Sequence, residues 1–129
     1  MDMLLLRIAG WVSLAFGAFH AAFWWIFDWS TTLGPLNDTD LGILLALNVA
    51  CAYLLFACAA GTLLRTRDLV ATPLGRGVSW AIAGFWMVRA VAEFIVFATP
   101  SPVLAVVCAG VGMLYVAPLL RTRPDRGTA

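Results

Sequence analysis

Four long apolar runs separated by short polar punctuation organise the 129-residue chain. The first predicted span covers 8–27 and closes on Asp28. It leads into "DWSTTLGPLNDTD" at 28–40, whose Gly, Pro, Asn, Asp and Thr read as a loop. The second span, 41–64, stops at "RTRD", and a polar connection with Pro73, Gly75 and Gly77 leads to the third, 78–97. "ATPSP" reads as a tight turn, because Pro100 and Pro102 cannot continue a helix. The fourth span, 103–120, is followed by "RTRPDRGTA". At about 1.5 Å rise per residue, runs of about 18 to 24 residues cross a hydrocarbon core of roughly 30 Å. The pattern predicts an all-α polytopic membrane protein, one integral domain over 1–129, built as a four-transmembrane-helix up-down bundle.

Within each span the small and polar positions fall on one helical stripe. In span one Ser13, Gly17, His20 and Trp24 recur at steps of four, three and four, and Asp28 extends the row. Asn48, Cys51 or Ala52, Leu55, Cys58 and Thr62 form the stripe of span two. Trp86, Arg89, Glu93 and Phe97 share a face of span three, and Cys108, Gly112 and Tyr115 one of span four. Depth ties these faces together. His20 lies about 12 Å from the boundary at Asp28, and Asn48 about 10 Å from the start of span two. Arg89 and Glu93 fall roughly 13 and 7 Å from the end of span three, with Cys108 about 7 Å into span four. One polar layer in the outer half of the bilayer is therefore predicted.

Composition agrees and adds a direction. The chain is 63% hydrophobic and 12% charged, with mean hydropathy +0.95, whereas soluble domains carry about 25% charged residues. Net charge is +1 and the arginines are scattered, which excludes a nucleic-acid partner. Arg7 precedes span one; Arg65, Arg67 and Arg76 lie between spans two and three; Arg121, Arg123 and Arg126 follow span four. The positive-inside rule then predicts a multi-pass protein of the cell (inner) membrane with both termini and the middle loop cytoplasmic. The first run is too long for a signal-peptide core and ends in an interfacial tryptophan cluster. Asp38-Thr39-Asp40 lacks the glycine and distal glutamate of a calcium loop.

His20 is the only histidine and Glu93 the only glutamate. Buried ionisable groups turn inward and need partners. Arg89 and Glu93 at i, i+4 can pair, and Asn48 offers His20 both a donor and an acceptor. His20, Glu93 and Arg89 are thus the candidate catalytic residues, with Glu93 as proton acceptor and Arg89 as anchor for an anionic or carbonyl group. Trp24, Asn48, Trp86 and Cys108 are candidate ligand contacts. Ser13, His20 and Asp28 stand roughly 10 to 12 Å apart along one helix, too far for a Ser-His-Asp triad. His20, Cys51, Cys108 and Glu93 are metal-ligand types but follow no spacing motif, and one histidine supplies one axial haem ligand per chain, so neither metal nor cofactor is expected. The cysteines read as small buried hydrophobes.

In size, helix count and topology the chain is similar to the broad DoxX-like group of small four-span proteins. The span-one histidine with Asp28 eight residues on resembles the sterol-isomerase-like (EXPERA) bundles. The span-two carboxylate that this second likeness implies is missing here, and no motif carries either likeness.

Two functional readings follow. In one, the polar layer binds a lipophilic small molecule and supports proton-transfer chemistry on it (isomerisation, cyclisation or hydrolysis). In the other, the layer is structural, and the protein is a non-catalytic accessory subunit whose small-residue faces dock a membrane partner or a second copy.

Overall fold

An apolar segment inside lipid can satisfy its backbone groups as a helix. The computed structural model describes residues 2–121, and over these the chain is helical, with no strand. Four helices are long and apolar enough to cross a membrane: α1 (Asp2–Ala21), α4 (Asp38–Leu64), α6 (Pro73–Val96) and α7 (Pro102–Arg121). Short turns of helix lie between them: α2 (Phe23–Ile26), α3 (Trp29–Thr32) and α5 (Asp68–Ala71).

Capping chemistry explains why three of the four spans start earlier than hydropathy suggests. Asn37 is extended, and its Oδ1 accepts the Asp40 N–H at 2.9 Å, so α4 begins at Asp38. Asp38 and Asp40, read from sequence as loop, sit in its first turn, where carboxylates suit the helix dipole. Thr72 Oγ1 accepts the Gly75 N–H at 2.9 Å with Pro73 at the first helical position, so the expected connection is the first turn of α6. Ser101 Oγ accepts the Leu104 N–H at 3.3 Å at the start of α7.

The first span departs most from expectation. Its helix begins at Asp2 and ends at Ala21, rather than running over 8–27. At Ala22 the N–H is shared between the Ala18 and Phe19 carbonyls (3.0 and 3.1 Å), a local tightening of the helix. At Asp28 the backbone enters the left-handed region (φ 46°, ψ 53°) before α3. Neither glycine nor proline occurs between positions 18 and 33, so no local residue announces this break. Depths counted from Asp28 along one straight helix therefore do not apply: His20 stands one residue before the end of α1.

The bundle packs α1 against α4, α6 against α7, and α1 against α7. Small residues allow the close approaches. A Cβ at Gly10 would come within 2.9 Å of the Leu63 side chain, and one at Gly17 within 3.0 Å of the Phe56 ring. Leu6, Ala9, Leu55, Ala83, Trp86, Cys108 and Tyr115 form the centre of the core. Outward-facing Leu47, Val49, Tyr53, Val88, Ile95 and Val106 are largely exposed, an apolar rim of the kind a lipid-facing surface presents.

Several buried polar groups away from His20 are paired within the bundle. Thr62 Oγ1 and Tyr115 Oη lie 2.9 Å apart, and Ser13 Oγ donates to the Ala9 carbonyl at 2.9 Å. Arg121 meets Asp2 at 3.2 Å, joining the start of α1 to the end of α7. Arg123 and Arg126 lie outside the described residues.

Candidate functional site

The site assembles where α1 ends. Asn48 of α4 makes two hydrogen bonds to His20. Its Nδ2 donates to the His20 carbonyl at 3.0 Å, and its Oδ1 lies 3.0 Å from His20 Nδ1. The first bond fixes the amide orientation, because a backbone carbonyl only accepts. With Oδ1 then facing Nδ1, His20 Nδ1 must carry the proton and donate it. Nε2 is left with its lone pair, and 3.8 Å from it lies Cys51 Sγ. Asn48 and Cys51 are three residues apart on α4, one turn of one face, so a single helix presents a partner to each ring nitrogen.

A second polar group is built on α6. Arg89 Nη1 donates to Glu93 Oε2 at 2.7 Å, and the Ser101 N–H donates to Glu93 Oε1 at 2.8 Å. Both carboxylate oxygens are therefore engaged, and Glu93, 3% exposed, ties α6 to the start of α7. The Arg89 guanidinium also lies over the Phe97 ring, 5.4 Å from its centroid. In this arrangement Glu93 holds the Arg89 guanidinium in place.

Between the two groups lies a cavity of about 440 Å³. Phe16, Phe19 and His20 of α1, Cys51 and Leu55 of α4, Phe85, Trp86, Arg89 and Glu93 of α6, and Leu104 of α7 line it. Phe23, Phe27, Trp29 and Phe97 complete the wall, three of them contributed by the segment that follows the break in α1. Phe23 stacks on the His20 ring at 4.3 Å and packs edge-on against Phe19, Phe27 and Trp29. The α2–α3 segment is therefore an aromatic cap, held by Thr32 Oγ1 on the Phe27 and Asp28 carbonyls (both 3.0 Å) and by Ser30 on the Asp28 carboxylate (2.8 Å). Trp86 is 1% exposed, with its ring edge-on to Phe16, and its indole Nε1 has no hydrogen-bond partner among the described residues.

Of the residues predicted from sequence, His20, Trp86, Arg89 and Glu93 come together at this cavity, and Asn48 supports His20 from behind. Trp24 does not join them. The turn at Ala22 takes it off the stripe of α1, and its side chain is 43% exposed. Cys108 is fully buried in the core on α7 and is not part of the cavity wall. Sequence reasoning weighed Cys51 only as a stripe position and a metal-ligand type, and it missed the phenylalanine wall. Cys51 lay on the predicted stripe three residues from Asn48, and that spacing was the available signal. Among the described residues no group of three or more His, Cys, Asp or Glu side chains is placed to hold a metal ion.

No protein-family model, curated protein or solved structure matches this chain. The likenesses to DoxX-like and sterol-isomerase-like bundles accordingly remain likenesses of architecture.

Proposed function

We propose that this multi-pass membrane protein binds a lipophilic small molecule in the cavity between His20 and Arg89, and that His20 performs proton transfer on it. The observation that carries this reading is a mostly apolar, aromatic cavity with a few convergent polar groups, the usual character of a small-molecule site. His20 Nε2 supplies an acceptor and the Arg89 guanidinium supplies donors, so a ligand with a carbonyl or hydroxyl head and an apolar body is complementary. The arginine distribution supports termini and middle loop on the cytoplasmic side of the cell membrane, and the Asp2–Arg121 contact is consistent with two ends on one side.

One observation favours the alternative of a non-catalytic accessory or scaffold subunit. The Arg89–Glu93–Ser101 linkage joins two helices and would be retained for that reason alone. A photo-crosslinking fatty acid separates the two. Cavity binding places the label on Phe16, Phe23, Phe85 or Leu104, whereas labels found only on lipid-facing Val88 and Val106 would refute it.

A further inference from the structure

Cys51, His20 and Asn48 stand in the order that nucleophilic thiol chemistry requires. Asn48 Oδ1 receives the Nδ1 proton at 3.0 Å, which fixes the tautomer, and the basic Nε2 faces Cys51 Sγ at 3.8 Å. A thiol, an imidazole and an orienting amide in this sequence recur on unrelated folds as a nucleophile, base and orienter. We propose that Cys51 is an acyl-accepting nucleophile and that the cavity takes a long-chain acyl ester or thioester, whose acyl group passes through the Cys51 sulfur to water or an alcohol.

This rests on the ligand-binding reading above and names its substrate class. Cys58 and Cys108 provide an internal contrast, since neither has a histidine beside it among the described residues. A purely structural His20–Asn48 pair needs no thiol at the second nitrogen and no cavity in front of it. The independent observation is Trp86: its buried Nε1–H has no partner among the described residues, and the residue lines the same cavity. Arg89 gives one N–H to Glu93 and has others to offer. The guanidinium can donate to the oxygen of an acyl group, where charge develops as the carbonyl is attacked.

The transfer balances without an outside oxidant or reductant. The Cys51 thiol proton passes to His20 Nε2 as the sulfur bonds to the acyl carbon, and the carbonyl electron pair moves onto oxygen. That pair returns, the bond to the leaving alkoxide or thiolate breaks, and the leaving group takes the proton from Nε2. In the second half His20 removes a proton from water or an alcohol, whose oxygen bonds to the thioester carbon. The C–S bond breaks and the sulfur recovers its proton.

The test uses the full chain in nanodiscs with p-nitrophenyl palmitate, following nitrophenolate release and mapping the acyl group by peptide mass spectrometry. The expected result is a hydroxylamine-sensitive palmitoyl group on Cys51, formed about a hundredfold faster than on Cys58 or Cys108, the range general-base assistance gives. His20→Ala should lower the Cys51 rate by a similar factor. Equal acylation of the three thiols in the wild-type protein overturns the proposal, and that comparison needs no variant to fold. Photo-crosslinking of the wild-type protein separates the two claims. Cavity labelling kept in a protein whose Cys51 acylates no faster than its other thiols overturns acyl transfer alone, and loss of both overturns the binding reading with it.

Discussion

Replacing Asn48 by alanine removes two interhelical hydrogen bonds at once, one to His20 Nδ1 and one to the His20 carbonyl. Hydrogen bonds between membrane helices average about 0.6 kcal/mol, so the two together contribute roughly 1.2 kcal/mol. The loss also strands the Nδ1–H of a half-buried ring, and an unsatisfied buried donor costs about 1 to 3 kcal/mol, the lower end applying here. The expected destabilisation is therefore about 2 kcal/mol, a factor of the order of 30 in the folded-to-unfolded ratio. Equilibrium unfolding by SDS in mixed micelles, read by tryptophan fluorescence, measures it. A cycle with His20→Ala isolates the pair from the cavity that each truncation leaves. It should return a coupling of about 1 kcal/mol, against the roughly 0.3 to 0.5 kcal/mol within which independent sites add. Additivity of the two single variants would refute both the pairing and the tautomer derived from it.

Three further outcomes follow from named contacts. Glu93→Ala releases Arg89 and the Ser101 N–H together, so it should clearly lower the unfolding midpoint in the same assay. Glu93→Gln keeps an acceptor for Ser101 and should cost clearly less; equal losses would show that the linkage to α7 is unimportant. Tyr115→Phe leaves the fully buried Thr62 hydroxyl without its 2.9 Å partner and should cost about 1 to 2 kcal/mol, much of it recovered in the Thr62→Val, Tyr115→Phe double variant. Gly75→Ala drives a methyl into the Asp68 carbonyl, and because backbone cannot yield as a side chain can, a loss of about 2 kcal/mol with faster proteolysis between α5 and α6 is expected.

The lipid-compatible helices were legible because hydropathy and length suffice for them. Their starts were less so, since Asn37 and Thr72 extend α4 and α6 through caps that hydropathy does not register. The polar stripes were legible for α4, α6 and α7, where an unbroken helix carries the periodicity through: Thr62, Glu93, Cys108 and Tyr115 are all buried. On α1 the periodicity misled. It placed Trp24 beside His20 because nothing local marks the turn at Ala22, whereas Asn48, 28 residues away in sequence, holds the His20 carbonyl at that turn. The cavity wall was illegible for the same reason. Trp29 reads as an interfacial anchor and Phe23 and Phe27 as ordinary apolar positions of a straight helix, whereas Phe23 stacks on His20 and the αL backbone at Asp28 brings Trp29 back against Phe23.

Whether this polar layer exists for itself turns on what its members leave over. Asn48 uses both ends of its amide on His20, and Glu93 uses both oxygens on Arg89 and Ser101. A layer that served only to specify the bundle would end there, with every donor and acceptor matched, because each buried orphan costs about 1 to 3 kcal/mol. Three groups fall outside the pairing. His20 Nε2 meets only a thiol, a weak donor; Trp86 Nε1–H meets nothing among the described residues; and Arg89 has donors beyond the one given to Glu93. These belong to three of the residues that line one aromatic cavity, while the satisfied Asn48 lies behind it. Unmatched polar capacity gathered around a shared space is the arrangement a bound polar head would complete. Exchange of Trp86 for phenylalanine, which removes the unmatched N–H and part of the aromatic wall, should therefore weaken retention of a photo-crosslinking fatty acid, and a variant that retained it undiminished would remove the reason for placing a ligand there.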